Sequence, residues 1–259
     1  MKPNRLQQVA AEGRVPIGHM VWEFKSRGVA QIVANAGADF VLIDMEHSGF
    51  DNETVADLIG WFKATTVAPF VRIPQTMYHF IARAMDVGAL GIMNPTVETA
   101  AQARELVNAV KYAPLGKRGV GIGTAHTDWK GADPATYFEF ANRNTTVIAQ
   151  IESVTAIENL ESIAATPGVD ILWTGHFDLS QSMGIPGKFD DPRFLEAFHR
   201  VPTVARAHGK LAGVQPANMT QAEEWIKAGY NVISCGSDSA VYGRALHDGI
   251  DQMRKSTQG

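Results

Sequence analysis

Short apolar runs rich in β-branched residues recur along the chain, and each precedes a longer stretch whose apolar residues have helical spacing. This alternation is typical of parallel βα units. The phrases NAGADF, DVGALG and KAGYNV each place a glycine at a helix end just before a strand, which indicates one module used repeatedly. Strands are predicted at 16–22, 40–44, 69–73, 90–95, 147–152, 170–175, 210–215 and 231–236. Eight such units predict closure into a single (β/α)8 TIM barrel spanning 1–259.

The segments between the strands contain predicted helices with apolar faces and recognisable ends. They are predicted at 28–35, 52–63, 78–87, 99–111, 154–165, 220–228 and 240–253. The two longest interruptions, 114–146 and 181–209, are predicted to be ordered loops near the barrel mouth. A doubly wound open sheet is the competing architecture, but no glycine-rich dinucleotide-binding motif follows the first strand.

Composition narrows the class of partner. With 45% hydrophobic and 19% charged residues the chain has the make-up of a globular protein. A formal net charge of -4 argues against nucleic-acid binding and favours a small-molecule partner. The polar N-terminus and the lack of 18 uninterrupted apolar residues predict a cytoplasmic protein without membrane contact. The single cysteine, Cys235, lies in the apolar run VISC and is predicted to be a buried structural thiol.

In a barrel of this kind the chemistry lies at the carboxyl ends of the strands, so the polar residues that close each apolar run are the candidates for function. They come from strands two, three, five, six and seven. These residues are Asp44, His47, Arg72, Gln150, Glu152, Asp178 and Gln215; Glu46 also follows strand two but is assigned no role.

Glu152 and Asp178 are carboxylates carried by neighbouring predicted strands. Together they can give a divalent cation two oxygen ligands and leave positions for substrate and water. Mg, Mn and Co all fit such a site. The alternative is that each carboxylate caps the helix that follows it.

Arg72 lies inside the apolar strand PFVRIP, where an unpaired guanidinium is costly to desolvate, so it is expected to face an anion. A buried structural ion pair is the alternative. Asp44 and His47 are close enough in sequence for the carboxylate to orient the imidazole for proton transfer. The alternative for this pair is a core histidine beside a helix-capping aspartate.

Other aromatic and imidazole side chains fall into two groups. Four histidines in helical stretches are expected to serve packing or to lie on the surface, namely His79, His199, His208 and His247. His126, His176 and Trp129 lie in predicted mouth loops and are candidate substrate contacts.

The motifs FVLIDMEH, VRIP, YAPLGKRGVG, QIES and GHFDLS, in this order, resemble the HpcH/HpaI family of class II pyruvate aldolases. The resemblance covers about residues 15–245. It implies a barrel of the phosphoenolpyruvate/pyruvate-binding type, assembled as hexamers built from dimers. It also implies that the last helix, 240–253, is exchanged between subunits of a homo-oligomer.

The same resemblance assigns roles to the motif residues. Glu152 of QIES and Asp178 of GHFDLS would be the metal ligands, and Arg72 of VRIP would contact the keto oxygen. His47 would work with Asp44 in proton transfer. Gln150 would lie in the pyruvate pocket, beside Gly175, His176 and Gln215 as further substrate-binding residues.

The implied reaction is cleavage of a 4-hydroxy-2-oxo acid to pyruvate and an aldehyde through an enolate held by the metal. A Schiff-base lysine is not expected, because the only lysine in the strand runs, Lys210, starts strand seven at the wrong end of the barrel. The chain departs from the family pattern at His176, where the family usually has proline, and after RGVG, where it reads IGTAHTDWKG. The acceptor aldehyde is therefore left open.

Two other functions fit the same sequence. One is a lyase on the same metal site that cleaves an acyl-CoA ester or uses oxaloacetate. It would need a basic groove for the CoA phosphates, and the only cluster in sequence is Lys111, Lys117 and Arg118. The other is a non-catalytic barrel that binds a small dicarboxylate.

Overall fold

The computed structural model describes residues 1–257, so 258 and 259 of the predicted domain lie outside the described residues. Eight parallel strands form a closed barrel in chain order. The predicted (β/α)8 fold is confirmed, and each strand end lies within one residue of its predicted position. The strands are β1 Ile17–Val21, β2 Phe40–Asp44, β3 Ala68–Arg72, β4 Gly91–Asn94, β5 Thr146–Ile151, β6 Ile171–Thr174, β7 Leu211–Val214 and β8 Val232–Ser237.

Helices cover the outside of the barrel, and side-chain caps fix the first turns of several of them. The Asp51 carboxylate accepts the main-chain N–H of Thr54, and Thr99 forms a reciprocal capping box with Gln102. The helices are α1 Arg5–Ala11, α2 Gly28–Asn35, α3 Asn52–Phe62, α4 Tyr78–Asp86, α5 Ala100–Val110, α6 Pro134–Asn144, α7 Val154–Glu158, α8 Leu160–Ala164, α9 His176–Ser182, α10 Pro192–Ala207, α11 Met219–Lys227 and α12 Asp238–Ser256.

The two segments predicted as long loops each contain a helix, so the prediction of loops alone was wrong. Segment 114–146 contains α6, and segment 181–209 contains α10. Both helices begin with proline after a capping aspartate, Asp133 or Asp191, because proline is tolerated at the first helical position. Pro202 inside α10 and the polar composition of α6 hid these helices from a search for apolar spacing.

Segment 114–146 also lies at the opposite end of the barrel from the one predicted. It follows α5, and it contacts groups at the amino ends of the strands: Lys63, just after α3, donates to the main-chain oxygen of Ala125 and to Asp128. His126 and Trp129 are therefore not mouth residues. A segment that follows a barrel helix returns to the amino end of the next strand, and this direction of travel decides its position.

Side chains along each strand alternate between two apolar layers. In β2, Phe40 and Leu42 face the barrel interior, whereas Val41 and Ile43 pack against the helices. The same alternation applies to β3 and β5, where Phe70 and Ile148 point inward. Continuing this period of two, the inward positions at the carboxyl ends of these strands are Asp44, Arg72, Gln150 and Glu152.

The last strand and helix differ from the rest of the barrel. Cys235 in β8 is exposed, so the predicted buried thiol was wrong. Five large apolar side chains of α12 are exposed as well, namely Val241, Tyr242, Leu246, Ile250 and Met253. None of the helices described within 1–257 is both long and apolar enough to cross a membrane.

Candidate active site

A cavity of about 620 Å³ opens at the carboxyl end of the barrel. Predicted site residues from five different strands or the loops after them meet on its wall. They are His47, Arg72, Gln150, Gly175, His176, Asp178 and Gln215. Asp44 and Glu152 do not line the cavity themselves but contact Arg72 and Gln150, which do.

Arg72 is held by two carboxylates. Its Nε and Nη2 donate to the two oxygens of Asp44, each over 2.8 Å, and its Nη1 lies 3.1 Å from Oε2 of Glu46. Asp44 is completely buried and Arg72 is 7% exposed. Burial opposes the charge of Arg72, but the pairs with Asp44 and Glu46 outweigh it and raise the pKa of Arg72. The guanidinium is thus a fixed cation with a defined orientation.

The side-chain contact predicted between Asp44 and His47 is not made in the structure. Asp44 Oδ2 instead accepts the main-chain N–H of His47 over 3.3 Å, while the imidazole Nε2 lies 3.6 Å from Oε2 of Glu46. The His47 side chain is 56% exposed at the cavity. Burial raises the pKa of Glu46. Glu46, not a predicted site residue, is therefore the carboxylate nearest to the imidazole.

Glu152 is a buried carboxylate that already accepts several hydrogen bonds. Oε1 accepts the main-chain N–H of Thr96 over 2.6 Å and its hydroxyl over 3.1 Å, and Oε2 accepts the Gln150 carboxamide N–H. Burial is the largest influence and raises the pKa of Glu152, and the negative charge of Asp178 acts in the same direction. Two carboxylates that disfavour each other's charge are suited to hold a cation between them.

The surroundings of Glu152 leave room and an acceptor for a ligand. A Cβ at position 175 would collide with Glu152 Oε2, and the glycine leaves this space open. The buried carboxamide oxygen of Gln150 has no hydrogen-bond partner. Asp178 is exposed in the first turn of α9. Among residues 1–257 no group of three or more His, Cys, Asp or Glu is arranged to hold a metal. The donor set of two carboxylates fits a hard divalent ion that takes its other ligands from substrate and water.

Comparison with known proteins identifies the family of the chain. A family model for HpcH/HpaI aldolase/citrate lyase matches residues 20–245. The chain belongs to this family. It is 31% identical over 254 residues to a 5-keto-4-deoxy-D-glucarate aldolase of Shigella boydii, a match that covers 98% of this chain and 97% of that one.

Two solved structures of the family superpose on the barrel. An HpcH/HpaI aldolase from Desulfitobacterium hafniense DCB-2 has a TM-score of 0.89 at 31% identity and covers 96% of both chains. The citrate synthase SbnG also has a TM-score of 0.89, at 27% identity, over 98% of this chain and 99% of that one. The resemblance predicted from the motifs is confirmed, and this member of the HpcH/HpaI family is a carbon–carbon lyase of the aldolase type.

His176 lies in an aromatic part of the cavity wall. Its ring lies among the rings of Phe177, Phe189 and Trp225, with centroids 4.7 to 5.1 Å away. Burial lowers the pKa of His176 to about 4, so the imidazole is neutral near pH 7. Gln215 has its carboxamide oxygen engaged by the Ser234 hydroxyl over 2.9 Å.

Thr96 was missed by sequence reasoning. It follows β4 and has a φ of 52°, a left-handed conformation that is strained for a β-branched residue. The strain is held by the two hydrogen bonds that Thr96 makes to Glu152. The available signal was its position directly after a strand in the sequence MNPT, where polar residues at strand ends already pointed to the site.

Proposed function

We propose that this aldolase depends on a divalent cation and cleaves a 4-hydroxy-2-oxo acid into pyruvate and an aldehyde. The observation that carries the proposal is the paired carboxylates Glu152 and Asp178 beside the fixed cation Arg72 and the unpartnered Gln150 oxygen. The Shigella boydii relative, a 5-keto-4-deoxy-D-glucarate aldolase, supports a 2-oxo acid substrate.

Glu152 and Asp178 would hold the ion, with Mg, Mn or Co as the candidates. When bound, it would act as a Lewis acid towards the carboxylate and 2-oxo groups of the substrate. Glu152 is suited to this role because its hydrogen bonds from Thr96 and Gln150 fix the carboxylate in one orientation.

Arg72 would stabilise the negative charge that develops on the 2-oxo oxygen as the C3–C4 bond breaks. Asp44 accepts from its Nε and Nη2, and Glu46 lies 3.1 Å from its Nη1, so the guanidinium is held in one orientation at the cavity. Asp44 acts through Arg72 and through the main chain of His47, which makes it a positioning residue.

His47 would take the proton from the C4 hydroxyl. The C4–O bond then becomes the aldehyde carbonyl, the C3–C4 electron pair moves into the enolate, and C3 is protonated to give pyruvate. The exposed imidazole reaches the cavity, and Glu46, 3.6 Å from Nε2, would stabilise its charged form.

The remaining cavity residues would position the substrate. Gln150, Gly175, His176 and Gln215 line the same cavity as Arg72, and the neutral ring of His176 can accept or donate a hydrogen bond there.

Assembly and location belong to the same proposal. We expect a cytoplasmic homo-oligomer built from dimers, up to a hexamer, in which α12 exchanges between subunits. The exposed apolar side chains of α12 support this expectation, because an isolated helix does not normally leave so many apolar side chains in water.

A second candidate is a lyase that uses oxaloacetate, favoured by the likeness to the citrate synthase SbnG. It would use the same carboxylates and Arg72. The acyl-CoA version has less support, because Lys111 and Arg118 are buried at the amino end of the barrel, away from the cavity. A non-catalytic dicarboxylate-binding barrel is the remaining alternative.

The test is pyruvate release from a panel of 4-hydroxy-2-oxo acids and oxaloacetate, before and after chelation and with Mg²⁺, Mn²⁺ or Co²⁺ restored. We expect Glu152→Gln to lower kcat/KM at least about a thousandfold and to abolish Mn²⁺ binding. Glu53→Gln, an exposed carboxylate on α3, is the control and should match the wild type. Full activity after exhaustive metal removal, or in Glu152→Gln, would overturn the proposal.

A further inference from the structure

The cavity has a second arginine on its wall that the proposed chemistry does not use. Arg244 lies in the second turn of α12 and lines the cavity together with Ala240, one helical turn before it. Arg72 is already paired with Asp44 and Glu46, and Asp178 would be paired with the cation. Within the described residues Arg244 makes no ion pair, so its charge is available to a ligand.

The start of α12 is fixed, which gives Arg244 a defined place. Asp238 Oδ2 accepts the main-chain N–H groups of Trp22, Glu23 and Phe24 over 3.3, 3.0 and 2.8 Å. The Trp22 indole N–H also donates to the Ser239 hydroxyl over 2.6 Å. These bonds tie the first turn of α12 to the loop after β1.

The second turn of α12 is tied down as well. The ring of Tyr242 packs edge-on against Phe24, with centroids 5.6 Å apart. Arg244 is two residues further along, so its backbone cannot move far from the cavity even if the rest of α12 pairs with another subunit.

Arg244 and the candidate metal ligands come from different sides of the mouth. Glu152 follows β5 and Asp178 follows β6, whereas Arg244 follows β8, and β7 lies between β6 and β8 in the closed barrel. The wall between them is largely apolar, with Met20, Trp22, Trp173, Pro216 and Ala217. A substrate held by its 2-oxo acid end at Glu152 and Asp178 would therefore extend across apolar surface towards a single cation.

We propose that Arg244 is a specificity-determining residue that binds a second carboxylate, at the end of the substrate remote from the 2-oxo acid. The chain would then prefer 4-hydroxy-2-oxo diacids over monoacids of equal length. This inference rests on the proposed function for the position of the 2-oxo acid end. Guanidinium and carboxylate match in geometry and charge, which makes arginine well suited to this selection.

Binding separates this inference from the proposed catalysis. The experiment is calorimetric titration of the protein, with Mn²⁺ present, with 2-oxoadipate and with 2-oxohexanoate. These two ligands have the same chain length, and only 2-oxoadipate has a second carboxylate. We expect Arg244→Gln to weaken 2-oxoadipate binding about tenfold and to leave 2-oxohexanoate within about twofold, as for the loss of one charged hydrogen bond. Arg244→Lys should restore part of the difference. Arg254→Gln, on the same helix far beyond the cavity, is the matched control.

Equal weakening of both ligands would assign Arg244 to the shared 2-oxo acid end or to the fold, and it would overturn the inference. Unchanged binding of both would overturn it too. A kinetic arm compares pyruvate release from a 4-hydroxy-2-oxo diacid and its monoacid counterpart, where the ratio of kcat/KM should fall about tenfold in Arg244→Gln. If the wild type releases pyruvate from neither, the proposed function fails, while the binding titrations still decide the role of Arg244.

Discussion

The two ends of the barrel both bury charged side chains, but they satisfy them with different partners. At the amino end the buried ammonium of Lys111 donates to the main-chain oxygens of Asn142 and Thr145, over 2.8 and 2.5 Å, and lies further away, at 3.6 Å, from Oδ2 of Asp170. Lys2 likewise donates to three main-chain oxygens. At the carboxyl end, Arg72 is bound by side-chain carboxylates and faces a cavity.

This difference distinguishes polar side chains that stabilise the fold from polar side chains that can bind a ligand. Main-chain acceptors cannot be moved by a ligand without unfolding the segment, whereas carboxylates and an unpartnered carboxamide can exchange partners. Arg118 is an exception at the amino end, since its Nη2 donates to the Asp86 carboxylate over 2.6 Å. Its Nε and Nη1 lack acceptors, and its guanidinium lies 4.7 Å from the ring centre of Tyr112. Neither burial of charge nor pairing with a carboxylate therefore locates the active site by itself; a buried ion pair that also faces a cavity does.

Two matched substitutions, one at each end of the barrel, test this difference, and they have the largest expected effect. Arg72→Met should lower kcat/KM about a thousandfold, because it removes the cation from the reacting oxygen. It should also cost about 3 to 5 kcal/mol of unfolding free energy, since Asp44 stays buried without its partner. Lys111→Met should cost about 2 to 4 kcal/mol through its unsatisfied carbonyls and leave kcat/KM within about twofold.

Pyruvate release and urea unfolding measure both quantities on the same preparations. A large loss of kcat/KM in a folded Lys111→Met protein would break the distinction between the two ends. Wild-type kcat/KM in Arg72→Met would also contradict the distinction between the two ends.

Gly175→Ala sharpens the description of the carboxyl end. The added Cβ would collide with Glu152 Oε2 and displace the carboxylate, so we expect kcat/KM to fall about a hundredfold with a smaller loss of stability. Gly60→Ala is the control, because Gly60 lies in α3 with nothing within 4 Å of its missing Cβ. Wild-type kinetics in Gly175→Ala would mean that Glu152 need not keep its position.

The smallest effect concerns His126 at the amino end. Burial, together with the charge of Arg118, lowers the pKa of His126, so the unfolded chain takes up a proton at higher pH than the folded one. The free energy of unfolding should therefore fall as the pH drops below about 6.5, the unfolded value, towards the lower folded pKa. His126→Gln should make the free energy of unfolding depend less on pH. Part of the dependence should remain in this variant, because His176 also has a lowered pKa, of about 4.

Activity provides the check on this assignment. His126→Gln and Trp129→Ala should each keep kcat/KM within about twofold at pH 8, because both residues lie far from the cavity. A selective loss of kcat/KM in either variant, without loss of stability, would show that the substituted residue belongs to the active site.

Most of the strand framework was predictable from the sequence, because a buried parallel strand is a short apolar run and this property is local. The inward positions of Asp44, Arg72, Gln150 and Glu152 followed from where each run ends. The helices in segments 114–146 and 181–209 were missed because both begin with proline, α6 is polar and α10 contains Pro202. Their placement needed the direction of the chain, which composition does not reveal.

The contacts inside the site were less predictable than its members. Sequence spacing suggested that Asp44 orients the imidazole of His47, but Arg72 is directly opposite Asp44 on β3 and takes both of its oxygens. That competition depends on strand pairing between distant segments. The same is true of Thr96 and Glu152, which come together only when β4 and β5 pair.

The pairing of β2 with β3 places Asp44 opposite Arg72 in register. A slip of one residue would turn Arg72 from the barrel interior towards the apolar helix layer and leave Asp44 without its cation. Misaligned folding intermediates would therefore be penalised by the same two charges that prepare the site for reaction. Substitutions that improve catalysis at this pair are consequently constrained by assembly of the barrel, whereas Arg244, outside the strand ladder, is free to vary with substrate.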